Sequence, residues 1–275
     1  MASATLNGVD LFYEEVGKGQ PLVLVHGSWA DHTTWGMVVP DLSKHFRVIS
    51  YDRRGHSRSS VPPGQGHVEQ DVDDLAALIQ HLDAAPANVA GNSFGGSITL
   101  RLAAAHPDLC RSISAHEPPL LRLLERDPRF GPGLVEVQTR IRNVIEVLQR
   151  REDAKAAELF VETVALGPGM WTLLPEPVRE VFISNAGSWL DECQDPEALL
   201  IDLGALHDYG GPAQLTGGDQ SPPFFGAVLE LVKEALPQAD RFTYHGSGHV
   251  PQETHPGQYA SQLASFLQRV EMARV

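Results

Sequence analysis

The chain has 275 residues, of which 42% are hydrophobic and 20% are charged, as expected for a globular protein with one full-size core and room for an added subdomain. Its 21 Lys and Arg residues against 35 Asp and Glu residues give a net charge of −14. This excess of negative charge argues against nucleic acid or an anionic membrane surface as a partner, since both require basic patches.

The sequence also carries signals about compartment. No stretch approaches the roughly 18 apolar residues of a membrane span, and residues 1–8 lack the charged and apolar regions of a signal peptide. Cys110 and Cys193 have no C-x-x-C spacing, so we expect buried free thiols and a reducing environment. We therefore expect a cytoplasmic protein that acts on a small molecule and has no nucleic-acid or membrane partner. The oligomeric state is left open.

The first half of the chain alternates predicted strands with predicted helices. Asn7-Gly8 predicts a tight turn between two short strands, and the apolar run at residues 21–26 predicts a strand buried on both faces. Apolar residues at helical spacing predict a helix near residues 68–83. The other predicted elements here are a helix near residues 34–44 and strands at 46–51, 87–90 and 112–116. This alternation predicts an α/β fold with a mainly parallel central sheet and helices on both faces.

The strand pattern stops at Pro118 and resumes near residue 213. Helices are predicted between these points near residues 134–151, 155–166 and 176–186. Because a crossover between parallel strands needs only one helix, we interpret residues 118–211 as a helical cap inserted into a core domain of residues 1–117 and 212–275. After it come predicted strands at 213–216 and 241–244 and helices near 223–236 and 258–272.

Ser93 is the candidate nucleophile. It lies in Gly91-Asn92-Ser93-Phe94-Gly95, between a predicted strand and a predicted helix. This strand–turn–helix context is typical of a nucleophile elbow, in which the glycines allow a sharp reversal and the serine hydroxyl projects from the strand end.

A serine hydroxyl needs a base to accept its proton and an acid to orient that base. His249 follows the last predicted strand and Asp219 follows the strand before it, so both belong to the carboxyl edge of the sheet where such groups gather. An oxyanion hole requires two backbone donors. We assign these to Phe94, which follows the nucleophile, and to Ser28 in the loop after an earlier strand.

Five motifs in this order resemble those of the α/β-hydrolase superfamily over essentially the whole chain. They are His26-Gly27, Tyr51-Asp52-Arg53-Arg54-Gly55-His56-Ser57-Arg58-Ser59, Gly91-Asn92-Ser93-Phe94-Gly95-Gly96, Gly218-Asp219 and Gly248-His249. The resemblance implies the α/β-hydrolase fold and a triad in the order Ser93, Asp219, His249. The superfamily includes esterases, lactonases, carbon–carbon bond hydrolases, perhydrolases and cofactor-free dioxygenases, so the resemblance does not specify the substrate.

The acid of this triad has two candidates. Zearalenone-type lactonases of the superfamily carry a His-Glu-x-Pro segment whose glutamate is the triad acid, and His116-Glu117-Pro118-Pro119 is similar to it. We prefer Asp219, because Gly-Gly-Asp lies at the commoner acid position, and we keep Glu117 as the alternative.

The resulting hypothesis is a serine hydrolase that cleaves a small or medium apolar ester or lactone through an acyl-enzyme. A carbon–carbon bond hydrolase or perhydrolase with the same triad is the first alternative, and a ligand receptor that retains the triad is the second. No cofactor or metal is implied, since the segment after His116-Glu117 lacks the second histidine of a zinc motif. Four residues are predicted to line the substrate pocket: Trp29, Trp171, Trp189 and Val250.

Overall fold

The computed structural model describes residues 2–273 and contains one eight-stranded sheet in the order β1-β2-β4-β3-β5-β6-β7-β8. The strands are β1 Ala2–Leu6, β2 Val9–Val16, β3 Gln20–Val25, β4 Phe46–Tyr51, β5 Ala87–Asn92, β6 Cys110–His116, β7 Ala213–Gly218 and β8 Asp240–Tyr244. β2 runs antiparallel to β1 and β4, and all other neighbouring pairs are parallel. The predicted mainly parallel α/β architecture is confirmed.

Helices cover both faces of the sheet because the central strands are apolar on both sides. In β3, Val23 and Val25 belong to one buried cluster with α2, α3 and α10, whereas Leu22 and Leu24 belong to a second with α1 and α12, as the two-residue repeat of a strand requires. The helices are α1 Val39–Leu42, α2 Val68–His81, α3 Phe94–Ala105, α4 Gly131–Gln149, α5 Asp153–Phe160, α6 Met170–Leu173, α7 Glu176–Ser184, α8 Ala186–Gln194, α9 Leu203–His207, α10 Pro223–Ala235, α11 Pro251–Thr254 and α12 Pro256–Met272.

Residues 118–211, here called the helical insertion, contain helices α4 to α9 between β6 and β7 and no strand. Its middle part has a buried cluster of its own around Val144, Ala157 and Trp189, joined by Trp29 from the loop after β3. Its two ends instead join the main core, through Leu120 and Leu206 for example. The cap boundaries stay a prediction, and Met1 and residues 274–275 of the proposed core domain lie outside the described residues.

Two local expectations differ from the structure. The helix predicted near residues 34–44 is a 3₁₀ turn at His32–Trp35 followed by the four-residue α1, which begins at Val39 with Pro40 in its first turn. The helix predicted at 155–166 ends at Phe160 and continues as a short π turn over Val161–Ala165. Among residues 2–273, no helix combines the length and apolar character needed to cross a membrane.

Candidate active site

Ser93 connects the end of β5 to the start of α3 and has a backbone that L-residues rarely adopt, with φ 55° and ψ −124°. The flanking glycines make this turn possible. A Cβ on Gly91 would lie 2.1 Å from the Gly95 carbonyl oxygen, and one on Gly95 would lie 2.1 Å from the Val25 carbonyl oxygen. The strand, the turn and the helix are therefore in direct backbone contact, and this contact fixes the position of the serine.

The loop after β3 lies directly against Ser93. A Cβ on Gly27 would lie 2.9 Å from Ser93 Cβ and 3.5 Å from its Oγ, so only glycine fits there. The backbone amides of Ser28 and Phe94 have no hydrogen-bond acceptor among residues 2–273. Both residues line the same cavity as Ser93, so two unengaged amide donors belong to the cavity that contains the Ser93 side chain.

His249 is oriented by Glu117, which follows β6. Its Nδ1 donates to Glu117 Oε2 at 2.7 Å, and the other carboxylate oxygen accepts from the Gly218 amide at 2.7 Å. Ser221 Oγ also donates to Oε2, at 2.8 Å. Burial tends to raise the pKa of Glu117, but the His249 hydrogen bond and the neighbouring histidine charges outweigh it, so the pKa lies below its ordinary value. Glu117 is thus an ionised, almost fully buried partner of the imidazole.

The preference for Asp219 as the partner of His249 is wrong in this structure. The Asp219 carboxylate is exposed and accepts hydrogen bonds from the Gly246 amide at 2.8 Å, from His245 Nδ1 at 3.1 Å and from Gln220. Asp219 therefore ties the turn after β7 to the loop after β8, a common role for aspartate beside glycine. The alternative residue, Glu117, occupies the place beside His249.

The His249 ring is held on two further sides. Phe225 stacks on it with ring centroids 4.5 Å apart and an angle of 21° between the planes. Asn92, the residue before Ser93, donates from Nδ2 to the His249 carbonyl at 2.8 Å. The hydrogen bond from Asn92 links the histidine loop to the elbow, so the backbones at Ser93 and His249 are held together.

A cavity of about 500 Å³ lies between the carboxyl edge of the sheet and the helical insertion. Ser28, Ser93, Phe94 and His249 line its core side. Most of its other lining residues are apolar, among them Ile141, Ile145, Phe160, Trp189, Leu199 and Phe224. The site can therefore hold a mainly apolar molecule with its reactive end at Ser93.

Of the four predicted pocket residues, only Trp189 lines this cavity. Trp29 is buried beneath it, stacked on Phe160 at 4.6 Å between ring centroids. Trp171 lies under the guanidinium of Arg179, and Val250 precedes α11. The prediction is wrong for these three: Trp29 and Trp171 pack against other side chains of the insertion's cluster, and Val250 is the residue before α11.

Sequence reasoning missed Glu192 of α8. Ser28 Oγ donates to its Oε2 in a short hydrogen bond, and Arg53 Nη2 contacts its Oε1 at 2.7 Å. Arg53 is fully buried and also binds Asp71. Helical spacing places Ser188 and Glu192 of α8 on one face with the capping residues Asn185 and Asp195. A solvated polar face has the same spacing, so the sequence alone gives no signal that singles out Glu192.

The most compact set of potential metal ligands in the described residues is Asp31, His32 and Asp52, whose ligand atoms lie within 4.8 Å of one another. Their oxygens already accept hydrogen bonds. His32 Nδ1 lies 2.6 Å from Asp52 Oδ1, and Ser57 Oγ donates to Asp31 at 2.9 Å. Hydrogen bonds explain this cluster as a brace between the loops after β3 and β4.

Comparisons with known proteins give the family of the chain. The sequence model of the alpha/beta hydrolase fold family matches residues 20–256. The chain is 25% identical to 2-hydroxymuconate semialdehyde hydrolase of Pseudomonas sp. (strain CF600), over 98% of this chain and 94% of the relative. It is 26% identical to zearalenone hydrolase of Bionectria ochroleuca, over 97% of each chain.

A solved carboxylesterase structure from the thaumarchaeon Nitrososphaera gargenis superposes with a TM-score of 0.78 at 23% identity, covering 99% of each chain. Several other curated relatives match over less than half of their own length, 44% in two cases. The two relatives described above match over most of their length. Both are named hydrolases, and their names give different substrates.

Proposed function

Because the chain belongs to the alpha/beta-hydrolase family, we propose that it hydrolyses a carboxylic ester or lactone with Ser93 as nucleophile, His249 as base and Glu117 as the orienting acid. The observation that carries this proposal is the 2.7 Å hydrogen bond between His249 Nδ1 and the buried Glu117 carboxylate, in a cavity that Ser93 and His249 both line.

In the first half of the reaction, His249 Nε2 takes the proton of the Ser93 hydroxyl while Oγ attacks the carbonyl carbon. Glu117 keeps the proton on Nδ1, so that Nε2 is the basic nitrogen, and it stabilises the imidazolium that forms. The unengaged amides of Ser28 and Phe94 bind the oxyanion. His249 then protonates the leaving alkoxide, which gives the acyl-enzyme.

In the second half, His249 removes a proton from water, which attacks the acyl carbon through a second tetrahedral intermediate. Collapse of that intermediate returns the proton to Ser93 and releases the acid. A lactone gives a single hydroxy acid, because its leaving group stays attached. Since the walls are mainly apolar, the substrate class is a small-to-medium apolar ester or lactone, with the helical insertion acting as a cap over it.

Replacement of Ser93 tests this mechanism. We expect Ser93→Ala to lower kcat for 4-nitrophenyl esters and for lactones by about 10⁴-fold or more, since the residue acts as part of a unit. The matched control is Ser97→Ala, one turn further along α3, where the buried hydroxyl has no hydrogen-bond partner among the described residues. Full turnover by Ser93→Ala, with both proteins folded, contradicts the proposal.

A second candidate is hydrolysis of a carbon–carbon bond, which the match to 2-hydroxymuconate semialdehyde hydrolase over 98% of the chain favours. The same triad serves this reaction, so Ser93→Ala does not separate the two. The ratio of kcat/KM for a vinylogous diketone to kcat/KM for an ester of similar length does. A ratio above 1 favours the second candidate.

A further inference from the structure

The Ser28 hydroxyl, which already donates its proton in a hydrogen bond, lies beside the proposed oxyanion hole. Ser28 Oγ donates to Glu192 Oε2, and Ser28 and Glu192 both line the 500 Å³ cavity with Ser93. A serine hydroxyl has one proton to donate and two lone pairs to accept with. Once the proton is used, Ser28 Oγ presents only lone pairs to a bound molecule.

The ion pair behind Ser28 supports this direction of the hydrogen bond. Glu192 is 9% exposed, and its Oε1 lies 2.7 Å from Nη2 of Arg53, whose guanidinium is 1% exposed. Burial raises the pKa of the Glu192 carboxyl, and the Arg53 charge and the hydrogen bond from Ser28 oppose that rise, so this ion pair favours the anion. An ionised Glu192 has no proton to give, so Ser28 is the donor.

The position of Ser28 defines which part of the substrate meets this acceptor. The preceding residue, Gly27, approaches Ser93 so closely that an added Cβ would lie 2.9 Å from Ser93 Cβ. In the proposed mechanism the Ser28 amide binds the carbonyl oxygen. The side chain of that same residue is within reach of a substituent on the carbon bonded to the carbonyl.

We propose, resting on the proposed function, that the site selects esters or lactones with a hydrogen-bond donor, a hydroxyl or an amide N–H, on the carbon next to the scissile carbonyl. Ser28 Oγ accepts that hydrogen bond and Glu192 fixes its direction. A substrate without the donor leaves a buried acceptor unpaired, and sites built for a polar group reject the analogue that lacks it.

Three methyl esters that differ only in the substituent on C2 isolate the donor. Methyl 2-hydroxyhexanoate has it, methyl 2-methoxyhexanoate keeps the oxygen and its inductive effect but has no proton to give, and methyl hexanoate has neither. Hydrolysis is followed in a pH-stat. For the unaltered protein, kcat/KM for the hydroxy ester is expected to exceed that for the methoxy ester by about 10- to 100-fold.

Ser28→Ala removes the acceptor and keeps the backbone amide, so we expect it to reduce this preference to about 2-fold. The matched control is Thr163→Val. Thr163 also lines the cavity, and its hydroxyl donates to the Leu159 carbonyl at 2.6 Å, but it belongs to the helical insertion. Its replacement is expected to leave the hydroxy-to-methoxy ratio unchanged.

Two results overturn the inference while the proposed function stands: equal hydrolysis of the hydroxy and methoxy esters, or a preference that survives Ser28→Ala. If no ester is hydrolysed, the proposed function fails for this class, and calorimetric titration of the Ser93→Ala protein with the same esters decides the inference. Tighter binding of the hydroxy ester that Ser28→Ala abolishes supports it. Equal binding of the three esters, or none, overturns it.

Discussion

The backbone conformation at Glu117 determines which carboxylate contacts His249. Glu117 follows β6, the strand between β5 and β7, and the backbone turns there with φ 43°. This turn directs the carboxylate to His249 at 2.7 Å, while the shorter Asp219 side chain remains at the surface in a turn. A non-glycine residue at positive φ is costly and persists where its surroundings enforce it. Ser93 shares this property at φ 55°.

The two acidic residues are therefore expected to respond differently to loss of charge. Glu117→Gln should lower kcat by about 10³- to 10⁴-fold, because the amide favours the wrong tautomer and leaves the imidazolium unstabilised. Asp219→Asn should change kcat by less than about 3-fold. Steady-state kinetics on the best ester found for the unaltered protein measures both.

Circular dichroism of both variants serves as the control for folding. The reverse ranking, with Asp219→Asn nearly inactive and Glu117→Gln active, would mean that the His249 loop adopts another arrangement during catalysis.

The elbow depends on two elements that approach within backbone contact. Gly95 lies in the first turn of α3, and an added Cβ would lie 2.1 Å from the Val25 carbonyl and 2.6 Å from that of His26. Neither oxygen can move without distorting β3. By contrast, Gly226 in α10 is exposed, and a Cβ there would meet nothing within 4 Å.

Replacing these two helical glycines by alanine is expected to change the free energy of unfolding in opposite directions. Gly95→Ala is expected to lower the free energy of unfolding by about 3 kcal/mol, because a buried backbone must shift. Gly226→Ala is expected to raise it by about 0.5–1 kcal/mol, since alanine loses less backbone entropy in a helix. Urea unfolding at pH 7.5 measures both changes, and a Gly95→Ala protein as stable as the parent would refute the close approach.

Helix α8 fastens the insertion to the sheet through one polar face. Asn185, at its start, donates to the Ala30 carbonyl at 2.9 Å and accepts from the Ser57 amide at 2.7 Å. Ser188 donates to the Gly55 carbonyl, and Asp195 accepts from the Val68 amide at 2.7 Å. In sequence this face is indistinguishable from a solvated one. Only its partners, between 127 and 155 residues away in the sequence, show that it is an interface.

At the scale of the whole molecule, three histidines among residues 2–273 are completely buried and held neutral. Burial lowers the pKa of His26 well below its ordinary value, that of His56 to about 3 and that of His116 to about 4. In each case the unfolded chain binds a proton at a pH where the folded chain does not. Stability from such a group is therefore lost as the pH falls through 6.5 toward the folded-state pKa.

His56 allows this to be measured away from the proposed triad. Between pH 7.5 and pH 5 it should cost the parent protein about 2 kcal/mol of unfolding free energy, in addition to all other titrations. His56→Asn should reduce the pH dependence by that amount, and His45→Asn, at an exposed position, should not. Urea unfolding at both pH values provides the test, and parallel pH profiles for His56→Asn and the parent would contradict it.

Several features of the fold followed from local pattern. Asn7-Gly8 turns β1 into β2, and the apolar run at residues 21–26 contains the buried β3. Helix α2 occupies 68–81 where 68–83 was predicted. The glycine spacing around Ser93 identified the elbow, because its steric requirement is met by residues adjacent in the chain. The single helix predicted near residues 34–44 is wrong, because only Val39–Leu42 of that segment is α-helical.

The amino-acid sequence was sufficient for the α/β architecture and the strand–turn–helix at Ser93, because these depend on periodicity and on neighbours in the chain. Glu117 became a candidate for the acid through the resemblance to zearalenone-type lactonases. The tertiary structure decided between Glu117 and Asp219, removed Trp29, Trp171 and Val250 from the cavity wall, and brought Glu192 to Ser28 across 164 positions. Such contacts depend on where separate loops meet at the edge of the sheet, and no local pattern specifies those distances.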